Sequence, residues 1–254
     1  MIELKNLSCQ YGDTIALDDV SFTVPSGQIF GYLGPNGAGK TSTVRLLTGM
    51  MTPASGTASV AGFDIVESPF EVKKRVGYVP ESGAVYQSLS PLEYLQFVGR
   101  IYGMEEEVLT RRIEELGVFF ELTSVLSERM TSFSKGMKQK VVIAAAILHN
   151  PDVLFLDEPL NGLDVNAALI LKKLLQSLAS QGKTIFYCSH ILEVVETLCD
   201  RVAILNKGKL AAEGAIGELK AMTAQASLVD VFSHLTADPD QADLTQALAK
   251  TLST

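Results

Sequence analysis

The 254 residues carry a formal charge of −8, from 21 Lys and Arg against 29 Asp and Glu, and 47% are hydrophobic. So acidic a chain is not a general phosphate-backbone binder, because non-specific nucleic-acid affinity comes mainly from Lys and Arg neutralising phosphates. Cys9, Cys188 and Cys199 are an odd set with no CxxC or His spacing, and they read as reduced cytosolic thiols, not metal ligands.

This much apolar content suffices for one large domain, or for one domain with a subdomain. The start, "MIELKNLSCQ", has charges where a signal peptide needs an apolar core. The longest apolar run, "VVIAAAIL", is far short of the ~20 residues that span a bilayer. The chain is therefore expected to be soluble and to serve any membrane through a partner.

Residues 2–9 and 14–24 are expected as strands around the turn "YGD", and "QIFGYL" as a third. A helix follows from Lys40 to Leu47, then short strands "GTASVAG" and "RVGYVP". From Pro91 to about Leu126 the pattern turns helical and more polar, with Leu109, Ile113 and Leu116 on one face. A buried helix is expected over 135–148, with Ser134 as its N-cap and Asn150-Pro151 as its stop. Next come strand 153–157, helix 165–180, strand 184–188, helix 191–198, and strands near 201–206 and 209–213. Buried strands alternating with helices predict a mostly parallel sheet and an α/β fold, interrupted by the helical block at 91–130. The acidic end, "TADPDQADLTQALAKTLST", reads as a loosely docked tail or a short helix.

Three stretches carry chemistry. "GPNGAGKTS", residues 34–42, matches GxxxxGK[ST] in full between a strand and a helix, the context that this phosphate cradle requires. Its glycines let backbone N–H groups turn inward around phosphate oxygens. Lys40 is placed for the β- and γ-phosphates, and the Thr41 hydroxyl for Mg²⁺. "VLFLDEP" ends a strand in Asp157, suited to Mg²⁺ through water, and Glu158, suited to orient and deprotonate an attacking water. "TIFYC" ends in Ser189-His190. Three strands thus deliver polar groups at their carboxyl ends, where open parallel sheets bind ligands, and His190 is expected to contact the γ-phosphate. Ser189 reads as a cap for the next helix.

A fourth stretch, "SFSKGMKQK", places Lys135, Lys138 and Lys140 in the first turns of a helix, where the dipole disfavours cations. An anion reaching that helix start would account for them; a solvated face is the plainer account.

In this order, these elements resemble the nucleotide-binding subunit of ATP-binding-cassette transporters over about residues 1–220. The markers are Tyr11, the P-loop 34–42, "YVPE" 78–81, "FSKGM" 133–137, "LFLDEP" 154–159, "NGLD" 161–164 and His190. Many NTPases share a P-loop; a signature-like stretch between it and the Asp-Glu pair is far more specific. The resemblance implies a P-loop NTPase cassette with a mostly parallel sheet core, an N-terminal antiparallel β subdomain and an inserted helical subdomain at about 85–150. Residues 221–254 would form a C-terminal extension.

The resemblance also implies ATP and Mg²⁺ as cofactors. Gly34, Pro35, Asn36, Gly37, Ala38, Gly39, Lys40, Thr41 and Ser42 would surround the phosphates, and Tyr11 would stack on adenine. Ser134 and Gly136 correspond to the signature "LSGGQ", with Lys135 and Met137 replacing Gly and Gln, and would face the nucleotide of a second ATPase chain. Asp164 would cross to support the opposite site as well as cap its own helix. Glu81 stands where the family usually has Gln, in the loop that ligates Mg²⁺ and senses the membrane partner.

The implied function is an ATPase subunit at the cytoplasmic face of the membrane. It would close as a dimer around two ATP molecules and drive a separate permease, with no nucleic-acid partner. "YVPE", "SKGMKQK" and "SLVDVFSHLT" resemble the exporter branch with separate ATPase and membrane chains. The alternative is a soluble cassette ATPase acting on ribosomes or DNA, a class that typically has paired cassettes or long coiled-coil insertions.

Overall fold

Two sheets and the helices around them account for the described residues, 1–82 and 85–237, of the computed structural model. Most of the acidic tail lies outside those residues.

Strands β1 (Ile2–Tyr11) and β2 (Thr14–Val24) form an antiparallel hairpin closed at Tyr11 and Thr14. β3 (Ile29–Leu33) leads through the P-loop into α1 (Lys40–Leu47). β4 (Ser55–Val60) and β5 (Phe63–Asp64) join the hairpin in a four-stranded antiparallel sheet ordered β2-β1-β4-β5. α2 (Pro69–Arg75) then leads into β6 (Val76–Val79).

α3 (Pro91–Ile101) and α4 (Glu106–Phe119) make the helical block. They are followed by α5 (Lys135–Ile147), β7 (Val153–Asp157), α6 (Val165–Ser180) and β8 (Thr184–Cys188). α7 (Leu192–Leu198), β9 (Arg201–Asn206), β10 (Lys209–Ala215), α8 (Ile216–Thr223) and α9 (Leu228–Thr236) complete the described chain. The second sheet runs β10-β9-β3-β8-β7-β6, parallel except for β10. The fold is therefore α/β, as the alternation of strands and helices requires.

The parallel strands are buried on both faces, so they read as unbroken apolar runs, yet their side chains still alternate. Ile29, Leu33, Leu154, Leu156, Ile185 and Tyr187 face a core built with the helices. Phe30, Tyr32, Phe155 and Phe186 face a second core shared with the antiparallel sheet and α1. There Phe22 of β2 stacks on Phe30 with ring centroids 5.5 Å apart.

Short helices show how local chemistry sets boundaries. Ser90 accepts from the Glu93 N–H while the Glu93 carboxylate accepts from the Ser90 N–H, a reciprocal capping box with Pro91 just inside it. Asn150, with φ 57°, ends the α5 segment in the left-handed region just before Pro151. On α4, Leu109 and Ile113 are buried and Leu116 packs beside them. Leu109 lies against the bare backbone of Gly99 on α3. Leu109→Ala is expected to lower stability by about 2–5 kcal/mol, read as a drop in the denaturant midpoint.

The sequence pattern gave no helix for α2, where Val72 is the single buried side chain. α8 and α9 bring Leu219, Leu228 and Val231 into the helix-side core. Among the described residues, no helix is long and apolar enough to cross a membrane.

Candidate nucleotide-binding site

The site starts where β3 stops. Gly39 occupies the cap position of α1 with φ 110°, and a Cβ there would meet the Ala16 carbonyl oxygen at 2.3 Å. Glycine is thus required both by the backbone and by the close approach of β2. No side chain caps α1, and no acidic residue stands in its first turn. Its first N–H groups are left for an anion. A buried bond of 3.0 Å between the Tyr32 and Thr43 hydroxyls ties the helix to β3.

Lys40 Nζ donates to the carbonyls of Gly34 at 2.6 Å and Pro35 at 3.2 Å, so its ammonium lies over the loop. Thr41 Oγ1 donates to Asp157 Oδ2 at 3.1 Å. Asp157 ends β7 and is only 2% exposed. Burial raises its pKa; the Thr41 hydrogen bond opposes the rise, and the charges of Glu81 and Glu158 add to it. Glu81 itself is exposed, in the turn after β6. A buried carboxylate among other carboxylates favours a cation.

Glu158 follows in a left-handed conformation, φ 50°, uncommon for a side-chain-bearing residue and typical of sites that hold strain. Its N–H donates to the Cys188 carbonyl at 3.0 Å, so β8 fixes its backbone. The carboxylate is held at both oxygens: His190 Nδ1 lies 2.7 Å from Oε1, and Ser189 Oγ donates to Oε2 at 3.1 Å. The same Ser189 oxygen accepts from the Ile191 N–H at 3.1 Å. Ser189 does not cap α7 as expected: Ile191 holds the cap position and no side chain caps the helix, so the Ser189 bond closes the turn before it, and sequence reasoning missed the link to Glu158. A serine at a strand end beside a histidine was the one available signal.

Tyr11 is exposed at the end of β1, its hydroxyl donating to Met51 Sδ at 3.0 Å and lying 3.4 Å from Ser42 Oγ. The structure thus gathers Tyr11, the P-loop, Glu81, Asp157, Glu158 and His190 about the carboxyl ends of the parallel strands.

Ser134, Gly136 and Asp164 form a separate group. Ser134 caps α5 by accepting from the Met137 N–H at 3.2 Å, and Asp164 caps α6 by accepting from the Ala167 N–H at 2.9 Å. That backbone hydrogen bond lowers the Asp164 pKa. A Cβ on Gly136 would meet the Gly162 carbonyl oxygen at 2.5 Å, so the start of α5 presses on the "NGLD" turn. Buried Gln139, also missed from sequence, donates from Nε2 to the Pro159 carbonyl at 3.0 Å and joins α5 to the turn after Glu158. Among the described residues, no hydrogen bond or ion pair links Ser134, Gly136 or Asp164 to the P-loop. Two of the three lysines have partners in their own chain: Lys138 donates to Gln87 and Lys140 pairs with Glu121, each at 3.2 Å.

A second surface lies between α2 and α3. It is a groove of about 880 Å³ floored by Val142, Ala145 and Ala146 of α5, with Phe70 and Ile101 on its walls. Phe70 is 76% exposed and Ile101 66%. Its charged lining is Lys73 and Lys74.

The fold and the phosphate cradle define a P-loop nucleotide-binding protein. The family model described as "ABC transporter" matches residues 17–161, over half the chain. The chain is 40% identical over 225 residues to the ABC transporter ATP-binding protein NatA of Bacillus subtilis, covering 86% of this chain and 91% of that one. It is 37% identical over 232 residues to the Nod factor export ATP-binding protein I of Cupriavidus pinatubonensis, covering 91% and 71%. Among solved structures, an ATP-binding subunit of an ABC transporter superposes with a TM-score of 0.88 at 34% identity, covering 92% of this chain and 99% of that one. A dimeric ATP-binding cassette bound to ADP and Pi shares the fold, with a TM-score of 0.78 at 23% identity, covering 85% and 98%. The chain belongs to the ABC transporter family, as an ATP-binding subunit.

Proposed function

We propose that this chain is the ATP-hydrolysing subunit of an exporter, closing with a second ATPase chain around two ATP molecules and driving a separate permease from the cytoplasmic face. The observation that carries the reading is the convergence of the P-loop with Asp157, Glu158 and His190 at one sheet edge. Relatives named for Nod factor export and, in Escherichia coli, as a probable multidrug transporter support the outward direction.

The P-loop N–H groups receive the phosphates, and Lys40 exchanges its loop carbonyls for phosphate oxygens. Thr41, Asp157 and Glu81 would hold Mg²⁺. The fit is good because Mg²⁺ takes hard oxygen donors and only one or two protein carboxylates, and Asp157 is a buried carboxylate close to the charges of Glu81 and Glu158 as well as Lys40. When bound, Mg²⁺ neutralises charge on the phosphate oxygens. Glu158 takes a proton from the water that attacks the γ-phosphate, and His190 reaches the same phosphate. Tyr11 offers its ring to adenine. Ser134, whose oxygen accepts within α5, keeps its own proton for an oxygen of the other chain's γ-phosphate. Asp164 supports that opposite site.

The permease docks in the groove between α2 and α3, beside the Glu81 turn. A short helix from its cytoplasmic loop would lay an apolar face on Phe70 and Ile101 and set carboxylates against Lys73 and Lys74. Expressed with its permease, the chain should sediment with membranes; expressed alone, it should not. Phe70→Asp should abolish sedimentation while leaving equilibrium ATP binding unchanged. Nucleic-acid-stimulated ATPase activity without membrane association would favour the ribosome or DNA alternative instead.

A further inference from the structure

A general base must present a lone pair in the right direction, and the orientation of the Glu158 carboxylate is set at both oxygens, Oε1 by His190 and Oε2 by Ser189. The two holds differ in kind. The His190 side chain is 62% exposed and can leave for another partner. Ser189 is 1% exposed. Its backbone follows Cys188, the residue in register with Asp157 and the acceptor of the Glu158 N–H. Its oxygen already accepts from Ile191, and a hydroxyl has one proton to give, which goes to Glu158. The terminal torsion of a glutamate is broad and roughly two-fold, so a carboxylate with no second anchor turns freely. The buried Tyr187 hydroxyl on the same strand is a further polar neighbour of Ser189.

We propose that Ser189 is a positioning residue for ATP hydrolysis: it anchors Oε2 of Glu158 so that Oε1, once released by His190, faces the attacking water. The proposal rests on Glu158 being the base. Ser189 acts through Glu158, to which it gives its proton.

The test is steady-state ATPase kinetics on the full chain, with equilibrium binding of ATP and a melting curve for each variant. Ser189→Ala should lower kcat by about 10- to 100-fold, the scale of a misplaced catalytic group, with KM and ATP affinity unchanged. Ser189→Thr, which keeps the hydroxyl, should recover most of the rate. Single-turnover hydrolysis by the double variant Ser189→Ala, Glu158→Gln should equal that of Glu158→Gln alone, because groups acting as a unit are not additive. A wild-type kcat for Ser189→Ala beside an inactive Glu158→Gln overturns the role of Ser189 alone. A further loss in the double variant, beyond Glu158→Gln, also overturns it. Full turnover by Glu158→Gln removes the base itself, and the anchor with it.

Discussion

Glu158→Gln is expected to bind ATP as the wild type does and to lose turnover by about 10²- to 10⁴-fold, the usual weight of a positioned general base. The amide has nearly the shape of the carboxylate, so Ser189 can still donate to its oxygen, and the backbone beneath it stays fixed by the Cys188 carbonyl. What it lacks is a basic oxygen for the proton of the attacking water. Because ATP joins the two chains in the proposed cycle and hydrolysis parts them, the variant should accumulate as an ATP-bound dimer. Size-exclusion chromatography with light scattering, with and without ATP, reads this directly. A variant that turns over near the wild-type rate and stays monomeric in ATP removes Glu158 from the chemistry.

How much of this was legible in sequence depended on how much each element buries. β7, α6 and β8 fall on the residues expected for them, 153–157, 165–180 and 184–188, and α1 runs from Lys40 to Leu47 as expected. Each strand is a wholly buried apolar run, and α6 is long enough to repeat its period several times. α2 escaped because seven residues with one buried position carry no period. The omission matters, since α2 supplies Phe70, Lys73 and Lys74 to the groove. That surface is assembled from elements distant in the chain, so no window of sequence contains it. The same holds for Glu158, Ser189 and His190. The motifs identify the carboxylate and the histidine, but the 2.7 Å approach between them is a product of strand order.

Mixing two inactive variants should restore ATPase activity if Ser134 serves the nucleotide of the other chain. Lys40→Ala spoils the site a chain holds. Ser134→Asp is the better partner lesion, because Asp caps a helix about as well as Ser and so preserves α5, yet sets a negative charge toward the γ-phosphate. Each homodimer then has both sites damaged. The mixed dimer collects both lesions in one site and leaves the other whole, so random pairing should return up to about a quarter of wild-type turnover in a two-fold-symmetric assembly whose sites work independently. Differently tagged chains, copurified in sequence, isolate the mixed dimer. If the isolated mixed dimer stays inactive while wild-type chains bearing the same tags are active, Ser134 does not serve the opposite nucleotide through an independent site.

The contact of Gly136 with the Gly162 carbonyl, and the bond from Gln139 to the Pro159 carbonyl, make the start of α5 and the turn after Glu158 a single mechanical piece. No methyl group fits at the first contact, and no water intervenes at the second. The start of α5 and the backbone beyond Glu158 are therefore joined at two points. Under the proposed arrangement, news of what the neighbour holds would reach Glu158 through these two contacts and the turn at 159–162.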